Sequence, residues 1–139
     1  MSGLLEPEIG EVLDRMSILQ LKLNVGMRKN VPTASWEEEL RVLDNYLQRK
    51  IQGYQRTATS FSNDQFSNAN ARLGIVNAKL WEAEDRIRVY RKAGSLTDSE
   101  KMELGEFGLR IADLNDVRAQ LVNELNQMFG VSANTKMYA

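Results

Sequence analysis

Between Phe66 and Lys92 the apolar side chains fall at Phe66, Ala69, Leu73, Val76, Leu80, Ala83, Ile87 and Tyr90, in alternating steps of three and four. That spacing is the repeat of a helix packed along one seam. The same period recurs at Ile9, Val12, Met16, Leu19 and Leu23, and again at Trp36, Leu40, Leu43, Leu47, Ile51 and Tyr54. A last row runs Leu104, Phe107, Ile111, Leu114, Leu121, Leu125 and Met128, with Arg118 standing where the repeat calls for an aliphatic residue. A guanidinium in that place either reaches outward along its stem or pairs with a buried carboxylate. In the first segment Leu13, Ile18, Leu21 and Val25 widen the apolar arc, which predicts burial on more than one side.

Local signals punctuate these rows. Pro7 suits the opening turn of a helix, with Glu6, Glu8 and Glu11 around its positive end, and Gly26, Asn30 and Pro32 are read as ending it. Ser35 is the expected N-cap of the second segment, ahead of the first-turn acids Glu37, Glu38 and Glu39. Gly94 is placed to stop the third, and Thr97-Asp98-Ser99-Glu100 spells the capping box that starts the fourth, which Gly130 ends. The chain is thus read as one domain, helical over residues 7–29, 35–56, 66–92 and 98–129, with a polar connection at 57–65 and a fraying tail at 131–139. No strand pattern, internal repeat or nucleotide loop is present.

The fold expected is all-α, an elongated helical bundle of two antiparallel helix pairs with coiled-coil-like seams. The third and fourth helices would each run about 40 to 48 Å at 1.5 Å per residue, outreaching a compact four-helix core. Exposed ends of such a seam favour a homodimer.

Composition narrows the chemistry. The 139 residues include no cysteine and no histidine, which removes disulfides, thiolates, imidazole bases and the usual zinc ligands. Eighteen basic and nineteen acidic residues leave a net charge of -1, so no global field draws in nucleic acid or anionic lipid. The densest basic group, Arg86, Arg88, Arg91 and Lys92, sits where it offsets the negative end of a helix dipole. The first residues carry no basic leader and no apolar run is long enough to span a bilayer, so the expected setting is cytoplasmic, without membrane association.

The ionisable or amide residues nearest the seams are Asp14, Arg15 and Lys22 on the first helix, Asn77, Glu84, Asp85 and Arg88 on the third, and Asn115, Asp116 and Arg118 on the fourth. Convergence of these groups would make either a buried network that sets helix register or a binding pocket. The pocket version takes a small polar or phosphorylated ligand, a nucleotide or sugar nucleotide, gripped by Arg88, Arg118 and Lys22 with Trp81 as a wall. All-α Mg-dependent nucleoside triphosphate pyrophosphatases carry Glu-Glu-x-x-Glu and Glu-x-x-Asp on two helices, and Glu82-Ala83-Glu84-Asp85 satisfies the second half. The first half fails, because Arg41 or Val42 stands where the third acid belongs.

The segments from Ile9 to Leu19, from Val76 to Arg88 and from Leu114 to Asn126 resemble the three signature stretches of an uncharacterised family of small helical proteins in bacteria and marine cyanobacterial phages. Lys136-Met137-Tyr138 resembles that family's Lys-Ser-Tyr ending, while the stretch from Asn24 to Asn70 matches little. The resemblance implies an all-helical fold, host cytoplasm for a phage-encoded chain, and one constellation made of Glu11, Asp14, Arg15, Lys22, Asn77, Trp81, Glu84, Asp85, Arg88, Asn115, Asp116 and Arg118. It brings no activity. The sequence therefore reads as a non-catalytic interaction or assembly protein without cofactor, metal or catalytic residues.

Overall fold

The computed structural model describes residues 7–57 and 62–130 of the chain. Its four helices are α1 (Ile9–Arg28), α2 (Ala34–Thr57), α3 (Asn63–Lys92) and α4 (Asp98–Met128), and there is no strand among the described residues. The polar connection read at 57–65 shrinks, since α2 runs through Thr57 and α3 is helical from Asn63. The tail at 131–139 lies outside the described residues.

Each helix starts and stops for a chemical reason. The Ser62 hydroxyl accepts from the Gln65 N–H at 3.2 Å and opens α3. The capping box of α4 is complete, with Glu100 N–H donating to Thr97 Oγ1 at 3.1 Å and Thr97 N–H to Glu100 Oε1 at 2.9 Å. Gly94, at φ 78°, takes the left-handed turn after α3.

Two boundary expectations are corrected. α2 begins at Ala34, so Ser35 lies within its first turn and not at its cap. Gly26 does not terminate α1, which continues to Arg28, and the reversal comes at Asn30 with φ 57°. Gly26 is instead a contact residue: a Cβ there would come within 2.8 Å of the Trp36 ring and 2.9 Å of Thr33.

α3 and α4 form a long antiparallel hairpin, tied across by Arg72 to Glu124 at 3.9 Å and Arg86 to Glu103 at 3.4 Å. The backbone of α1 packs against both of these helices and against α2, whereas that of α2 packs closely on α1 alone. This is why α1 has the broadest apolar arc. Leu13, Leu19, Leu73, Leu121, Leu125 and Val12 are fully enclosed, and Leu47 of α2 joins the same core. Phe129 closes one end, its ring 5.3 Å from that of Tyr54 and 5.9 Å from that of Phe66.

Burial is one-sided along the hairpin. The last buried residue of α3 is Ala83 and the first of α4 is Leu121, so nothing from 84 to 120 is buried. That stretch is an arm made of the last part of α3, about 14 Å at 1.5 Å per residue, and the longer first part of α4, about 35 Å, and their seam of Ile87, Tyr90, Leu104, Phe107 and Ile111 is only half covered.

The body end is held by a close approach. Gly10 faces α4 so tightly that a Cβ would lie 2.4 Å from the Val122 carbonyl oxygen and 2.8 Å from Asn126 Oδ1. Backbone at that distance cannot yield as a side-chain tip would. Gly10→Ala should therefore destabilise the fold by about 1 to 3 kcal/mol in urea unfolding, although alanine is the better helix former. Gly53→Ala, where a Cβ meets nothing within 4 Å, should instead be neutral or gain about 0.5 to 1 kcal/mol.

Candidate functional site

Asp14 follows Gly10 by one turn and so faces the same cleft between α3 and α4. Arg118 of α4 meets it with two parallel hydrogen bonds, Nε to Oδ1 at 2.9 Å and Nη2 to Oδ2. Fork-to-carboxylate pairing of this kind fixes orientation as well as distance. Asn77 of α3 donates from Nδ2 to the same Oδ1 at 2.8 Å and to Ser17 Oγ at 2.6 Å. Three helices thus meet at one carboxylate.

The surroundings explain why the pairing is strong without being extreme. The Asp14 side chain is 15% exposed and that of Arg118 33%, so water reaches one edge of the pair. The hydrogen bonds to Asp14 hold the Arg118 guanidinium above its ordinary value, burial opposes this, and the charges of Asp14 and Glu84 add to it. No buried side-chain nitrogen or oxygen among the described residues lacks a hydrogen-bond partner. Asp14, Asn77, Ser17 and Arg118 thus answer one another within the junction.

A second polar contact lies one turn away. Asn126 Oδ1 accepts from the Gly10 N–H at 2.6 Å, and its Nδ2 donates to Glu8 Oε2 at 3.0 Å. A side chain of α4 thereby caps the start of α1, where an unpaired N–H would otherwise be buried. Neither Ser17 nor Asn126 was among the candidate residues. Each resembles an ordinary polar residue beside a seam, and only the tertiary approach of α1 gives it a partner.

The remaining candidates separate. Arg15 turns to α2 and forms a two-pronged pair with Glu39, 2.7 Å from Nε and 2.9 Å from Nη2. Lys22 is half-buried on α1 and its charge reaches Glu39. Asp85 and Arg88 pair with one another on the surface of α3 at 3.2 Å. Glu11, Glu84, Asn115 and Asp116 are exposed, and Trp81 is half-buried. Of the twelve candidates, the structure brings Asp14, Asn77 and Arg118 into direct hydrogen bonding, joined by Ser17.

The grip of Arg88, Arg118 and Lys22 on a ligand is not assembled either: Arg88 lies on the exposed face and Arg118 is turned onto Asp14. Glu82, Glu84 and Asp85 all face outward, and no group of three or more carboxylates among the described residues is placed to hold a metal ion.

No protein-family model matches the chain, and neither a curated protein nor a solved structure shows significant similarity to it. Among the described residues no helix is long and apolar enough to cross a membrane.

Removing either partner of the central pair leaves the other in a partly desolvated place. Asp14→Ala and Arg118→Ala should each cost about 1 to 3 kcal/mol, less than a fully buried pair because Arg118 is one-third exposed. The double variant should lose less than the sum, and a double-mutant cycle showing no coupling would remove the junction's structural role.

The Arg15–Glu39 pair carries a pH signature. Hydrogen bonding to Arg15 is the chief reason the Glu39 carboxyl is held below its ordinary 4.5. A depressed acid stabilises the fold fully above its unfolded value and loses that contribution as pH falls through the folded value. Both side chains are about 40% exposed, 42% and 41%, so the effect is modest and weakened by salt. Arg15→Met should shallow the acid-side fall in stability below pH 4.5, measured by urea titration at low ionic strength.

Proposed function

We propose that this chain is a non-catalytic interaction or assembly protein that works as a homodimer in the cytoplasm, its body fixing α1 against the hairpin and its arm presenting the working surface. The self-paired junction carries this reading. The carboxylate, guanidinium, amide and hydroxyl best placed to bind a ligand are spent on one another, which suits a group that sets register more than one that awaits a substrate.

The arm supports the same reading from the other side. Val89 is 60% exposed, Met102 and Leu109 are each 71% exposed, and the seam between the two helices has no third layer above it. Two helices without a covering layer bury little apolar surface per residue, so an added partner stabilises them. With a net charge of -1, and with the arm's exposed Arg86, Arg88, Arg91 and Lys92 set among exposed Glu84, Asp85, Asp98 and Glu106, protein surface suits the arm better than nucleic acid.

Light scattering with small-angle X-ray scattering tests the proposal. The expected particle has twice the 15.8 kDa chain mass and an elongated profile. A compact monomer at all concentrations overturns it. Thermal shifts with nucleotides, sugar nucleotides and Mg²⁺ should be absent, whereas a shift abolished by Arg118→Ala would turn the junction into a binding site.

A further inference from the structure

At the root of the arm α3 and α4 leave a groove of about 600 Å³ between them. Lys79 and Arg86 rim it from α3 and Arg110 from α4, and no described residue of α1 or α2 takes part. The helical turn explains the placement. Lys79 follows Asn77 by two residues, roughly 200° around α3, so the side chain that meets Asp14 and the one that rims the groove point nearly opposite ways. Between the cations the floor is apolar: Ala83 is buried, and Phe107 and Leu114 are half-buried. Ala83 stands about one turn from both Lys79 and Arg86, and its single methyl leaves the space between them open.

The cations are unevenly committed. Arg86 lies 3.4 Å from Glu103 and 5.9 Å from the centre of the Phe107 ring. Arg110 stands over the same ring at 5.3 Å, and neither it nor Lys79 forms an ion pair among the described residues. Two guanidiniums drawn to one ring repel each other, and the ring's negative face offsets this only in part. An anion held by Lys79 and Arg110 would offset the rest. The nearby acids limit what that anion can be. Glu82 stands on the rim itself, and Glu106 and Asp113 flank Arg110 along α4. A long polyanion would run past these carboxylates, whereas a single acidic side chain can be met by Lys79 and Arg110 together.

We infer that this groove receives an acidic segment of a protein partner, with a carboxylate between Lys79 and Arg110 and an apolar side chain beside it on Ala83, Phe107 and Leu114. The inference rests on the interaction-protein reading and gives its working surface a ligand chemistry. Both the floor and the walls favour a peptide over a free anion. A bare phosphate would leave the apolar floor uncovered, and both walls are mid-helix, where no unpaired backbone N–H is on offer to it. Exposed charge contacts are individually weak and screened by salt, so the affinity should be modest and fall as ionic strength rises.

Nuclear magnetic resonance titration of the isotope-labelled full chain tests this. The probe is the end-blocked peptide Glu-Leu-Asp-Glu-Leu-Phe, with Gln-Leu-Asn-Gln-Leu-Phe and inorganic phosphate as controls. The acidic peptide should shift amides of residues 79–86 and 107–114, less at high salt, and the neutral peptide should not. Lys79→Gln/Arg110→Gln should weaken binding about fivefold to thirtyfold, as expected for two exposed charge contacts, with unchanged helical circular dichroism. Arg110→Lys, which keeps the charge, should retain most of the affinity. Equal shifts from the neutral peptide, shifts centred elsewhere, no shift at all, or undiminished binding by the double variant overturn the groove. Phosphate giving the same shifts at lower concentration overturns the peptide as its occupant. A dimer that ignores the acidic peptide keeps the assembly role and loses this site, while a compact monomer that binds it loses the homodimer and keeps the site.

Discussion

A carboxylate brought between helices must have both oxygens satisfied, and the architecture follows from how Asp14 meets that demand. Apolar seams alone are forgiving: a row of leucines on α1 would find comparable cover after sliding one turn along the hairpin. The fork of Arg118 and the amide of Asn77 admit only one axial position and one rotation of α1. Because α2 packs closely on α1 alone, its place is inherited from the same constraint. A displaced α1 would carry α2 with it.

The second attachment works by proximity more than by charge. Gly10 lets the α1 backbone come against α4, and that approach puts its N–H within reach of Asn126. Space and hydrogen bond depend on each other, for a larger residue at 10 would push away the acceptor as well as the helix. Leu13, fully enclosed, sits between this contact and the Asp14 junction. Polar specificity and apolar burial therefore alternate along a single face of α1, and each keeps the other in register.

The helices were legible because their signals are local. Periodicity placed all four, and Thr97 and Glu100 declared the start of α4 from sequence alone. Gly26 was misjudged because a glycine that ends a helix and a glycine that admits a neighbouring ring look alike until the neighbour is known. Arg118 was readable as a charge in a seam, and Asp14 and Asn77 as two of the twelve positions that could converge with it. Glu84, Asp85 and Arg88 continue the strip of Asn77 and Trp81, but α3 has left its buried stretch by Ala83. Where the core ends along a helix is set by the other helices, and no pattern within α3 records it.

That boundary also separates what the two halves of the molecule can do. In the body no buried side-chain nitrogen or oxygen among the described residues lacks a hydrogen-bond partner. On the arm the balance is reversed: Met102 and Leu109 keep most of their surface in water. The seam between α3 and α4 already accounts for the apolar row needed to form a hairpin, and Met102 and Leu109 lie outside it. Apolar surface that a monomer does not use is stabilised only when something else covers it. The most exposed of the large apolar side chains among the described residues, Met102 and Leu109, thus stand on the arm, while the hydrogen bonds at Asp14 hold α1 against α3 and α4 in the body.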